Sequence, residues 1–160
     1  MASDLETVDR VDLDRYLGLW YEIASFPAWF QRDCTGTTAE YTWRDDGMIE
    51  VTNSCRKGSL DGKLKRTTGR AKVVDAESNA KLKVSFFGPF WGDYWILELD
   101  PDYQWAVVSV PSRKYLWILS RTPRLDTATY QQILEPLPGR GFDLSRLRET
   151  EQPSSADQER

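Results

Sequence analysis

The chain has 160 residues, 40% of them apolar, and a formal net charge of −4, which is enough for one domain with a sizeable core. The acidic balance argues against general nucleic-acid binding, which needs a basic footprint, and no apolar run approaches the roughly 20 residues of a membrane helix. Histidine is absent, so there is no His general base and no His-built zinc or haem site, and two cysteines cannot complete a four-thiolate centre.

The N-terminal "MASDLETVDRVD" reads as an extension over residues 1–12 and lacks the apolar core of a secretory signal. Either the protein stays inside the cell or the chain is a mature form whose signal was removed. Short alternating runs then follow one another. Leu19–Phe26 is the first, and Thr37–Arg44 places Ala39, Tyr41 and Trp43 on one face. Asp45-Asp46-Gly47 makes a hairpin turn into Met48–Cys55, which puts Ile49, Val51, Asn53 and Cys55 together. Leu64–Val74 groups Gly69, Ala71 and Val73, and the fifth run sets Leu82, Val84 and Phe86 against Lys81, Lys83 and Ser85. A Gly/Pro-rich aromatic loop, "FGPFWGD", leads to Tyr94–Leu99, Trp105–Val110 and Tyr115–Arg121, making eight strands in all. Asp126 then caps a helix whose Tyr130, Ile133, Leu134 and Leu137 share a face, ended by Pro136, Pro138 and Gly139. "GFDLSRL" suggests one more short strand, and 151–160 a frayed polar tail beyond a domain of residues 13–150.

Eight up-and-down strands leave two bare edges unless the sheet closes into a barrel wide enough for one small ligand. A flattened sandwich, or a barrel filled by its own side chains, is the alternative.

The stretches "YLGLWYEIASFP", "LKVSFFGPFWGDYWIL", "YLWILSRTP" and "GFDLSRL", spread from about residue 16 to 148, carry a family resemblance. The sequence resembles the lipocalins, and especially their bacterial outer-membrane lipoprotein branch, itself similar to apolipoprotein D and the plant temperature-induced lipocalins. The resemblance implies an all-β, eight-stranded up-and-down antiparallel barrel with one C-terminal α-helix packed outside it. It also implies an internal pocket for a hydrophobic molecule, with fatty acids or lysophospholipids as the expected ligands. Where many lipocalins carry Thr-Asp-Tyr, this chain has Leu99-Asp100-Pro101, so receptor recognition through that motif is not implied. The family's Trp and Arg fall on Trp20 and Arg121, with a structural role.

Strand direction separates the two ends. Trp20 opens the first strand and Arg121 finishes the eighth, so both sit at one end, where a guanidinium over an indole closes the barrel. The opposite mouth receives Phe26-Pro27-Ala28-Trp29-Phe30 and, from the next aromatic loop, Phe87, Phe90 and Trp91. Trp29, Phe30, Phe90 and Trp91 are the expected membrane-facing residues. Arg32, Arg56, Lys57, Lys63, Lys65, Arg66, Arg113 and Lys114 gather at that rim against Asp33, Asp61 and Asp93, while the closed end carries Asp45, Asp46, Asp75, Glu77, Asp100 and Asp102. An anionic membrane surface is thus an expected partner, against ordinary solvated loops. Cys34 enters the second strand from the mouth and Cys55 leaves the third toward it, which permits a bridge if local irregularity brings the Cα atoms within about 7 Å. Such a bridge argues for an oxidising compartment, which the resemblance to the bacterial branch implies is the periplasm or outer membrane of a bacterium. The alternative is two buried thiols.

Alternation and the family frame give the inward, ligand-facing set: Ala39, Tyr41, Val51, Leu82, Val84, Phe86, Tyr94, Ile96, Val108, Tyr115, Trp117 and Leu119, with Trp20 beneath. Strict alternation from Trp20 also turns Glu22 and Ala24 inward, and Glu98 is a second candidate interior carboxylate. The expectation is a carrier of a fatty acid, lysophospholipid or similar amphiphile, not an enzyme, with no cofactor, no metal and no nucleic-acid partner. An enzyme using interior carboxylates, or a ligand-free, self-filled barrel forming a homodimer through its aromatic mouth, is the alternative.

Overall fold

Short connections join each strand to the next, so successive strands pair antiparallel. In the computed structural model, which describes residues 5–27 and 33–153, β1 (Gly18–Ser25), β2 (Cys34–Trp43), β3 (Ile49–Lys57), β4 (Leu64–Val73), β5 (Lys81–Phe87), β6 (Phe90–Leu99), β7 (Trp105–Ser109) and β8 (Leu116–Ser120) form one sheet. β1 pairs with both β2 and β8, which closes the barrel and removes its edges. A helical turn, α1 (Leu13–Tyr16), precedes β1 and was not foreseen; Asp12 caps it through the Asp14 N–H. After β8 comes the helix α2 (Thr127–Leu134), capped as expected by Asp126, whose carboxylate accepts from the Thr129 N–H at 2.8 Å.

Two bulges interrupt the alternation. In β1 the register with β8 shifts between Glu22 and Ala24, and in β6 the register with β7 shifts between Ile96 and Glu98. A one-residue shift turns every later side chain to the other face. Trp20 and Glu22 therefore point inward, whereas Ala24 and Phe26 join an outer apolar cluster with Leu97, Val107, Leu116 and Ile118 beneath Ile133, Leu137 and Phe142. The expectation that Ala24 lines the interior and Phe26 the mouth is corrected: both are fully buried under the helix segment. Glu98 is likewise turned outward, its Oε1 2.7 Å from Arg140 Nη1.

Other differences are local. The aromatic "FGPFWGD" is a tight hairpin rather than a loop, since β6 already begins at Phe90. "GFDLSRL" forms a short 3-10 turn over Leu144–Arg146, and the added strand is β9 (Arg148–Glu149), paired with β1 where β2 has diverged. Of the tail expected to fray from 151, the described residues 151–153 dock through Gln152: its Nε2 donates to the carbonyls of Glu22 and Thr37 at 2.7 and 2.8 Å, and the Gly36 N–H donates to the Glu151 carbonyl. These bonds supply partners that β1 and β2 cannot give each other beyond Tyr21↔Thr38. The N-terminal segment also packs, with Leu5 and Val11 buried and the Val8 and Val11 N–H groups bonded to Ile96 and Ser78.

Candidate ligand-binding cavity

Inward residues of the eight strands enclose a cavity of about 730 Å³, within the range of roughly 300–1,000 Å³ usual for small-molecule sites. It extends to the strand ends at Phe87, Phe90, Val110 and Ser112. Ten of the twelve residues expected to face a ligand line it: Ala39, Tyr41, Val51, Val84, Phe86, Tyr94, Val108, Tyr115, Trp117 and Leu119. The other two are deeper. Leu82 borders a separate small space beneath Tyr41 and Tyr94, and Ile96 is fully buried in the floor cluster with Trp20 and Ala106.

The walls differ in chemistry. β5 to β8 contribute mostly apolar and aromatic surface, including Tyr115 stacked on Trp117 with ring centroids 5.7 Å apart. β2 to β4 contribute Thr37, Asn53, Thr67 and Lys65 to the lining. Lys65 faces in because it sits opposite Cys55, and Asn53 sits opposite Thr67. Apolar character does not mark these polar residues, although the β3 and β4 alternation places them on the inward face. Gly69 lies on the same wall; a Cβ there would fall 2.6 Å from the Phe86 ring and 2.4 Å from the Ser85 carbonyl oxygen, so only glycine allows this approach.

Three tyrosines make the base of the cavity. The Tyr94 hydroxyl lies 2.6 Å from that of Tyr16 and 2.9 Å from that of Tyr41. Tyr16, on α1, was not among the expected site residues. Burial makes the phenolate costly, raising Tyr41 to about 12 and pushing Tyr16 and Tyr94 well above the usual tyrosine value. Under them the barrel is closed by Trp20, fully buried, with Nε1 donating to the Tyr16 carbonyl at 2.8 Å. Arg121 caps this indole at 3.8 Å and donates to the carbonyls of Leu19, Arg15, Tyr16 and Tyr103.

Glu22 lines the cavity near β2 and is buried; its Oε2 accepts from Thr150 Oγ1 at 2.6 Å. With Glu98 outside the barrel, the two carboxylates do not share a site. Cys34 and Cys55 are bridged, with Cα atoms 5.3 Å apart, and the bridge borders the cavity. The register shift in β2 between Thr35 and Thr38 supplies the irregularity this required. At the mouth, Phe90 is exposed, while the ring of Trp91 lies 4.2 Å from Lys72 Nζ, a residue of the barrel's outer face. Trp29 and Phe30 lie outside the described residues. Of the rim cations, Arg113 is engaged with the C-terminal segment, its Nε donating to the Arg140 carbonyl at 2.7 Å.

A closed eight-strand barrel around a largely apolar cavity, plugged at one end, defines a binding protein for small hydrophobic molecules. The chain belongs to the lipocalin family: residues 11–152 match the lipocalin-like domain. It is 44% identical over 159 residues to temperature-induced lipocalin-1 of Arabidopsis thaliana, covering 94% of this chain and 84% of that one. It is 43% identical over 148 residues to the outer membrane lipoprotein Blc of Escherichia coli (strain K12), covering 92% and 83%. Among solved structures it resembles insecticyanin from the tobacco hornworm Manduca sexta, with a TM-score of 0.76 at 24% identity, covering 98% of this chain and 88% of that one.

Proposed function

We propose that the protein carries or stores a single-chain amphiphile, such as a fatty acid or lysophospholipid, without chemical turnover. The observation that carries this reading is the division of the cavity of about 730 Å³ into an apolar wall on β5 to β8 and a polar wall bearing Asn53, Thr67 and Lys65. An acyl chain lies against Phe86, Val108 and Trp117, and the head group meets the polar wall near the mouth, where the Lys65 ammonium favours an anion. Catalysis is not part of the proposal: the candidate pair is divided, with Glu22 lining the cavity and Glu98 turned outward to Arg140.

The outer-membrane lipoprotein name of one relative and the disulfide both support a bacterial envelope location. A mouth bordered by Phe87 and Phe90 fits exchange of ligand with a membrane surface.

Native mass spectrometry of gently purified protein, with displacement of a fluorescent fatty acid, tests the reading. Co-purified lipid and saturable displacement are expected, and Lys65→Glu weakens a carboxylate ligand about fivefold or more while sparing a neutral alcohol of equal chain length. An empty protein that binds no fluorescent fatty acid refutes it.

A further inference from the structure

Phe87 and Phe90 face each other across the β5–β6 turn and are 74% and 76% exposed. The next most exposed large apolar residues among those described, Val74 and Trp43, reach only 49% and 48%. Behind this tip, the register that turns Ala71, Leu82, Val84 and Tyr94 inward turns Arg66, Arg70, Lys72, Lys81 and Lys83 outward. Against these five cations the strands carry Asp93, 3.5 Å from Lys83, and Glu98, which is held by Arg140, while the β4–β5 turn adds Glu77 and Asp75, the latter near Lys81 at the end away from the tip. Glu50 of β3 borders the strip opposite Arg70.

Lys72 and Lys83 lie directly opposite one another, a like-charge pairing that weakens a sheet unless anions collect beside it. The same flank holds two indoles beneath cations: Trp91 under Lys72 at 4.2 Å and Arg70 at 5.3 Å, and Trp95 under Lys81 at 4.5 Å. Exposed phenylalanines at one end of a basic, indole-bearing face match the layering of an anionic bilayer, with hydrocarbon under a zone of phosphates where Trp and Lys or Arg settle.

We propose that the β5–β6 hairpin tip and the outer face of β4 to β6 form a docking surface for a bilayer containing anionic phospholipid. Phe87 and Phe90 enter the acyl boundary, the flank cations meet phosphates, and the barrel lies on this side with the lip of its cavity against the membrane. This orientation differs from end-on docking through rim cations such as Lys57 and Lys114. It rests on the membrane-exchange reading above for its partner, but its test needs no ligand.

Co-sedimentation with phosphatidylcholine vesicles, with and without phosphatidylglycerol, at low and high salt, decides the matter. Expected are binding only with phosphatidylglycerol, loss at high salt, and a drop of about tenfold or more for both Lys72→Glu/Lys83→Glu and Phe87→Ser/Phe90→Ser. Lys57→Glu/Lys114→Glu should change binding by less than about threefold. Circular dichroism and an unchanged urea midpoint check that each variant remains folded. If the rim pair abolishes binding and the flank pair does not, the orientation is overturned while membrane exchange stands. If no vesicle binds, both fall, and the displacement assay judges the carrier reading separately. Self-association that depends on Phe87 and Phe90, without vesicle binding, would make the tip a contact between copies and overturn the proposal.

Discussion

The Arg121 guanidinium lies 3.8 Å from the centre of the Trp20 ring and donates to four backbone carbonyls around it. One side chain thereby seals the indole, ties α1 to β1 and β8, and satisfies carbonyls that the barrel end leaves open. Gly18 permits the approach: its φ is +107°, and a Cβ would sit 3.3 Å from Arg121 Nη1. Arg121→Ala should lower stability by about 2–4 kcal/mol, and Arg121→Lys should recover little, because an ammonium cannot reach several carbonyls in the same plane. Urea denaturation followed by tryptophan fluorescence reads both.

The tyrosine cluster makes stability sensitive to alkali. Tyr41 holds its proton to about 12 in the folded protein, whereas the unfolded chain releases it near the ordinary 10.0. The folded state therefore binds more protons between these values, and stability that is fully present below pH 10 is lost as pH rises toward 12. Tyr16 and Tyr94 act in the same direction. Ultraviolet titration should show late-ionising tyrosines, and Tyr41→Phe should make the alkaline loss less steep. An unchanged slope would mean that burial at this position does not control it.

Gln152 is 5% exposed and holds the carbonyls of both Glu22 and Thr37. Gln152→Ala strands two buried acceptors and should cost about 1–3 kcal/mol, as should removing the chain from residue 151 onward. A shifted urea midpoint is expected. Hydrogen exchange at the Gly36 amide, whose partner is the Glu151 carbonyl, should quicken in the truncated chain.

The bridge between Cys34 and Cys55 closes a sequence separation of 21 residues. Cys34→Ser/Cys55→Ser should lower stability by about 3 kcal/mol, because the unfolded chain regains the freedom the loop denied it. Thiol titration in denaturant without reductant should find no free thiol in the wild type.

Ala39 is inward and lines the cavity opposite Asn53, so Ala39→Trp fills space without removing a partner. Displacement of a fluorescent fatty acid should weaken about tenfold or more, with stability changed by less than about 1.5 kcal/mol. Unchanged displacement would place the ligand outside the barrel.

Much of the site was legible because strand alternation survives wherever pairing is regular. Val51, Asn53 and Cys55 stay on one face of β3, and Tyr115, Trp117 and Leu119 on one face at β8, as the sequence order implies. Ala24, Phe26 and Glu98 depart from strict alternation for one reason: each follows a bulge, and a bulge leaves no mark in an alternating pattern. The β1 bulge serves α2, turning Ala24 and Phe26 out into the cluster of Ile133 and Leu137, and the β6 bulge turns Glu98 out to Arg140. A hint was present in "WAVVS" and "LWILS", whose near-continuous apolar runs signal strands covered on both faces.

The amino-acid order by itself determined the strand number, the hairpin connections, the inward set on regular strands, the closed end at Trp20 and Arg121, and the proximity of the two cysteines. Periodicity, turn chemistry and chain direction act over a few residues, and that range is enough for each of these. Tertiary structure alone decided that Tyr16, Tyr41 and Tyr94 meet, that Gln152 bridges β1 and β2, and that Glu98 turns to Arg140. Those contacts join residues up to 130 positions apart, and they depend on where closure and bulges place whole strands, which no local pattern encodes.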